Sequence, residues 1–117
     1  MFSLVAYFLD LEFNRRGRRD PISVGEVARA LRSAFREAGE REPGTPEILL
    51  AVRRLILAQV VSIGPPRDGD TLIIVLDRAR LRVIADAYTE EVGKSGDLRA
   101  LRVVASLTDG LGVKKEG

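Results

Sequence analysis

The stretch Thr45–Ile63, TPEILLAVRRLILAQVVSI, restricts the fold more than any other part of the chain. Aliphatic residues recur at helical spacing through Ile48, Val52, Leu55 and Ile56, with Gln59 continuing the stripe and Leu49 at its edge. Thr45 suits the cap of that helix, Pro46 its first position and Glu47 its positive end. The final VVSI is β-branched and favours a strand. A helix passing into a strand without a linker must lie beside it. The turn chemistry of GPPRDGD at 64–70, followed by TLIIVLD at 71–77, then closes a β-hairpin.

The segment before it is a second helix, over 23–39. Ser23 and Glu26 have the spacing of a capping box. Val24, Val27, Ala28, Leu31, Ala34 and Phe35 share one face, and Gly39 suits the stop. Residues 2–14 predict a helix as well, although LDLEF also alternates as a strand would. Leu4, Phe8 and Leu11 share one side of it, while Phe2, Leu9 and Phe13 lie nearly opposite. Two apolar sides imply either a fully buried helix or one with two partners, the chain's own core and a second subunit. Gly17 and Pro21 end this element inside NRRGRRDP. Helical spacing returns over 78–92 through Leu81, Ile84 and Tyr88, and Asp97 can cap a further helix carrying Leu98, Leu101, Val104 and Leu107. Residues 1–107 therefore read as one domain, and 108–117 as a frayed tail.

Composition removes several functions. There is neither cysteine nor histidine, which excludes thiolate and imidazole metal ligands, disulfides and the commonest general base. DGD at 68–70 lacks the other ligands of a calcium loop, and no phosphate-binding glycine pattern precedes a helix. No enzyme activity, metal or cofactor is expected. The start MFSLVAYFL has no basic residues before it and is broken by Asp10 and Glu12, so neither a leader nor a membrane span is expected. A chain without cysteine fits the cytoplasm.

The formal net charge is only +2, and any affinity for nucleic acid must come from arginines gathered in space. Three groups are candidates. RRGRR supplies Arg15, Arg16, Arg18 and Arg19 as a phosphate clamp or, equally, an ordinary solvated loop. Arg78, Arg80 and Arg82 form a second group, which Asp77 and Asp86 can partly neutralise. Arg53 and Arg54 fall on the outward side of the 46–59 helix, with Leu50 and Leu57 between and beyond them.

The order helix, helix, helix, hairpin, helix resembles the winged helix-turn-helix superfamily. ISVGEVARALRSAF matches its supporting helix, TPEILLAVRRLILAQVVSI its recognition helix and GPPRDGDTLIIVLD its wing, over roughly residues 2–77. The connection EAGEREPGT is longer than the tight turn of the simplest members. The resemblance implies a mainly α fold with a small β-hairpin and additional C-terminal helices. It also implies duplex DNA as partner, bound by a homodimeric transcriptional regulator. Thr45, Arg53 and Arg54 would face the groove, and Arg67 with the 15–19 arginines would contact phosphate. Dimer contacts would use Phe2, Leu9 and Phe13 together with the helices after residue 78. An alternative is a protein-interaction module of a transcription, replication or ribosomal assembly. Leu50 and Leu57 would then meet the partner, unless the C-terminal helices cover them. Glu47 and the carboxylates flanking Arg67 favour that alternative, because both oppose phosphate.

Overall fold

The computed structural model describes the backbone of residues 1–116 and the side chains of residues 1–108. Helix α1 (Phe2–Asp10) continues into a π-helical turn (Leu11–Arg15), and a two-residue strand β1 (Ile22–Ser23) leads into α2 (Val24–Glu37). Helix α3 (Thr45–Leu57) feeds strands β2 (Val61–Arg67) and β3 (Asp70–Val75), and α4 (Arg78–Ser95) and α5 (Leu98–Glu116) complete the chain. The three strands form one antiparallel sheet in the order β1-β3-β2. The architecture is thus mainly helical with a small sheet. Among the described residues no helix is long and apolar enough to cross a membrane.

One core joins these elements. Helix α1 lies at its centre, packed against α3 and α4, and α5 packs on α2. Leu9, Leu31, Ile48, Leu55, Ile73 and Leu81 are all fully buried. Helix α1 hides both of its apolar sides: Leu4 and Phe8 on one, Leu9 and Phe13 on the other, leaving only Phe2 half-exposed. The expected second-subunit face of Leu9 and Phe13 is therefore covered from within the chain. With α3 and α4 both against α1, no part of Leu9 reaches solvent.

Helix α3 ends two residues earlier than its aliphatic run suggests. Gln59 adopts a left-handed conformation, φ 61°. Its N–H donates to the Ile56 carbonyl at 2.9 Å, and the Val60 N–H donates to the Leu55 carbonyl at 3.0 Å. This pair of bonds is the Schellman stop, with glutamine where glycine is usual. Gln59 consequently leaves the inward stripe and is exposed, while Ala51 joins Ile48, Val52 and Leu55 inside. The start also shifts by one. Gly44 is the cap, its N–H donating to Glu47 Oε1 at 3.2 Å, and Thr45 is the first helical residue.

The hairpin is longer than the β-branched runs imply. Pairing continues to Arg67 opposite Asp70, and the reversal needs only Asp68 and Gly69, with φ of 52° and 77°. Two positive φ values in a two-residue loop match the twist of the flanking strands. Pro65 and Pro66 fit inside β2 because it is an outer strand and its register is irregular between Gly64 and Arg67. Strand β1 is absent from the sequence reading, since two residues carry no periodicity. It pairs Ile22 with Ile73 and Ser23 with Leu72, making a three-stranded sheet of the expected hairpin.

Beyond the hairpin, Asp77 Oδ1 accepts from the Arg80 N–H and Asp97 Oδ1 from the Arg99 and Ala100 N–H groups, capping α4 and α5. Helix α5 buries Val103 and Leu107, whereas Leu98 and Leu101 of the expected stripe are exposed. Its backbone stays helical to Glu116, through much of the stretch read as a tail. Side chains of that stretch from 109 onward lie outside the described residues.

Candidate functional site

The outward side of α3 is the first surface to consider. Burial of Ile48, Ala51, Val52 and Leu55 turns Leu49, Leu50, Arg53, Arg54 and Leu57 to solvent. Leu50 is 56% exposed and Leu57 78%, values that leave no room for cover by the C-terminal helices. Helix α4 lies on α1 and α5 on α2 instead. Leu57, Ala58, Arg54 and Phe2 line a shallow groove where the end of α3 meets the start of α1. Arg53 and Arg54 make no ion pair among the described residues, so both guanidinium groups are available to an external acceptor. Thr45 is differently engaged. Its hydroxyl accepts from Arg32 Nη2, and Arg32 Nε donates to the Pro43 carbonyl at 3.2 Å.

Those contacts also explain the long connection between α2 and α3. Arg36 Nε and Nη2 donate to the two oxygens of Glu42 at 3.1 and 3.2 Å, forming a bidentate clamp across the loop. The Arg36 hydrogen bond holds the Glu42 carboxyl below its ordinary range. Gly39, at φ 74°, ends α2 with the Glu40 N–H donating to the Phe35 carbonyl at 2.8 Å.

The arginines at 15–19 divide into two kinds. Arg16 Nη1 donates to Glu12 Oε2 at 2.9 Å, and Glu12 is only 9% exposed. Arg18 reaches Glu12 Oε1 at 3.4 Å and the two oxygens of Glu26 at 3.1 and 3.2 Å. It also donates to the carbonyls of Asp20 and Pro21 at 3.0 and 3.1 Å. The π-helical turn makes this convergence possible, because its wider winding carries the Arg16 N–H to the Leu11 carbonyl at 2.9 Å. Arg16 and Arg18 are thus engaged by carboxylates of the chain itself. Arg15 is exposed and lies 3.9 Å from Asp10. Arg19 is exposed with no ion pair among the described residues.

The second arginine group is exposed, but Arg78 and Arg82 are engaged by the chain itself. Arg78 donates to the carbonyls of Phe13 and Arg18 at 3.4 and 3.3 Å, and its guanidinium stands 5.7 Å from the Phe13 ring centre. Arg82 lies between Asp10, at 3.9 Å, and Asp86, at 3.6 Å. Asp10 itself is fully buried and accepts from Asn14 Nδ2 at 2.6 Å, which fastens α4 to the end of α1 through the Asn14 bond to the Arg78 carbonyl at 2.9 Å. This buried acid was not singled out from sequence. Its signal was an acid flanked on both sides by apolar residues in YFLDLEF, a pattern that Glu12, also buried, repeats.

At the hairpin tip, Arg67 is exposed, beside Asp68. Asp70 is not a free charge. Both of its oxygens accept from the Gly25 N–H, at 3.3 and 3.2 Å, near the positive end of α2. Arg67, Asp68 and Asp70 share a small cleft with Pro21, Ser23 and Glu26. Of the seven arginines expected to meet DNA, four remain both exposed and without an ion pair among the described residues: Arg19, Arg53, Arg54 and Arg67. Compared with protein-family models, curated proteins and solved structures, the chain finds no match in any of the three.

Proposed function

We propose that the chain is a winged helix-turn-helix protein that binds duplex DNA through the outward side of α3, as a dimeric transcriptional regulator of the cytoplasm. The observation that carries this reading is the contrast among the arginines. Those at 16, 18, 78 and 82 are tied to carboxylates or carbonyls of the chain, whereas Arg53 and Arg54 project from α3 with no acceptor among the described residues. The order α2, α3, β2, β3, with β1 completing the sheet, supports the winged-helix part of the reading. Groove contacts belong to Arg53 and Arg54, and phosphate contacts to Arg67 and Arg19. The dimer surface moves away from α1 to the outer sides of α4 and α5, where Val83 and Leu98 are 67% and 64% exposed.

A gel shift over a salt series tests this. Two phosphate contacts per subunit, through Arg67 and Arg19, make four per dimer and give a slope of about −3.6 in log affinity against log salt. That slope corresponds to roughly a hundredfold weakening between about 50 and 200 mM salt. Arg53→Ala combined with Arg54→Ala should abolish binding at moderate salt. Equal binding with and without the two arginines would place the interface elsewhere.

A second reading rests on a specific observation. Leu50 and Leu57 are exposed on the same side of α3 as the arginines, and aliphatic side chains make no hydrogen bond to base edges. In that reading the module meets a protein of a transcription, replication or ribosomal assembly through α3. No shift of any duplex at low salt would favour it.

A further inference from the structure

The hairpin tip is attached to α2 by one contact that spans 45 residues of sequence, from the Gly25 N–H to the Asp70 carboxylate. Two independent features make this contact specific. Asp70 opens β3 directly after the Asp68–Gly69 reversal, so whatever holds Asp70 holds the tip. Position 25 also has to be glycine for the contact to exist. A Cβ built there would stand 2.5 Å from Asp70 Oδ2, inside any allowed approach. Glycine weakens the first turn of α2, and helix propensity alone would favour alanine.

From this we infer that Gly25 and Asp70 form a positioning clasp, which fixes the hairpin tip against α2 and so determines where Arg67 is presented. The inference rests on the DNA-binding reading only for its consequence in affinity. Pairing with β1 holds β3 only as far as Leu72, so without the clasp the tip beyond it is held by β2–β3 pairing, which is irregular between Gly64 and Arg67. A loosened tip must be ordered again when it binds, which weakens binding without removing any charge.

Gly25→Ala is the decisive variant because it alters no charge. The atom it displaces is the far end of a side chain, so Asp70 can rotate away while both backbones stay. Two readouts are needed, both on the full chain. Limited digestion with trypsin reports the tip, since Arg67–Asp68 is a cleavable bond at the reversal. The Gly25→Ala chain should be cut there several-fold faster than wild type, at a temperature where circular dichroism shows both folded. Duplex affinity should fall by about threefold to tenfold, the span of one ordinary hydrogen bond. In an Arg67→Ala background the same substitution should leave affinity unchanged, because the residue being positioned is gone. Unaltered cleavage at Arg67 overturns the clasp. Faster cleavage with undiminished affinity overturns its role in presenting Arg67. A wild-type chain that binds no duplex ends the DNA reading instead, and the cleavage rates then decide the clasp by themselves.

Discussion

Replacing Arg18 by alanine separates a structural arginine from a DNA contact. Its guanidinium makes five hydrogen bonds, to Glu12, twice to Glu26, and to the carbonyls of Asp20 and Pro21. The bond to Glu12 is long, at 3.4 Å, and Glu12 retains Arg16 at 2.9 Å after the change, so the buried carboxylate is weakened but not abandoned. That loss is worth about 1–2 kcal/mol, below the full value for an orphaned buried charge. The Glu26 side chain is 41% exposed, and its pair is worth no more than about 1 kcal/mol. The two carbonyls regain water and add a few tenths each, roughly. A total of about 2–3 kcal/mol divided by an unfolding entropy of roughly 0.25 kcal/mol/K, for a chain of 117 residues, lowers the melting temperature by about 8–12 °C. Arg18→Lys should recover little, because one ammonium cannot span two carboxylates and two carbonyls. Thermal unfolding followed at 222 nm measures the shift, with Arg19→Ala as the exposed control that should melt like wild type. An Arg18→Ala chain melting within about 2 °C of wild type, yet binding duplex more weakly, would refute the buried-pair account and restore the clamp.

Gln59→Gly should raise stability by about 0.5–1 kcal/mol in urea unfolding, since glycine relieves the left-handed φ at a position whose side chain is exposed. Gln59→Val should lower it, and an unchanged midpoint in both would remove strain from the account. Burial, reinforced by Asp97, Glu91 and Tyr7, pushes the Tyr88 hydroxyl above its ordinary value. A folded-state pKa above the unfolded one gives stability that is complete below about pH 10 and is lost as pH rises through the folded value. Wild type should therefore lose more stability than Tyr88→Phe between pH 10 and higher pH, and parallel curves for the two chains would contradict this.

Local chemistry written into the sequence located most of the elements. The Ser23–Glu26 spacing produced a cap with the Glu26 N–H donating to Ser23 Oγ at 3.1 Å, and the stripe Ile48, Val52, Leu55 is buried as periodicity requires. Failures occur where long-range packing overrides a local signal. Gln59 extends the helical pattern yet must turn left-handed so that Val60 and Val61 can enter the core. Leu9 and Phe13 looked like a surface for a second subunit because a helical wheel does not reveal that α4 returns to cover them. The same limit applies to the arginines. Spacing grouped Arg15, Arg16, Arg18 and Arg19 as one basic patch, but the acceptors that divide them are Glu12 and Glu26, brought together only by the π-helical turn and the fold of α2. Leu50 and Leu57 were legible as outward, whereas their lack of cover depended on where α4 and α5 pack.

The margins of the small sheet carry a consequence of their own. A sheet border normally offers a row of unsatisfied amides onto which a foreign strand can stack, the first step towards fibres. Here one border is β1, two residues long, and the other is β2, where Pro65 and Pro66 supply no N–H to a newcomer. Exchanging both prolines for valine would leave Ile63 at the head of a continuous apolar template, so the pair acts as a guard on solubility at a place where folding alone makes no demand for it.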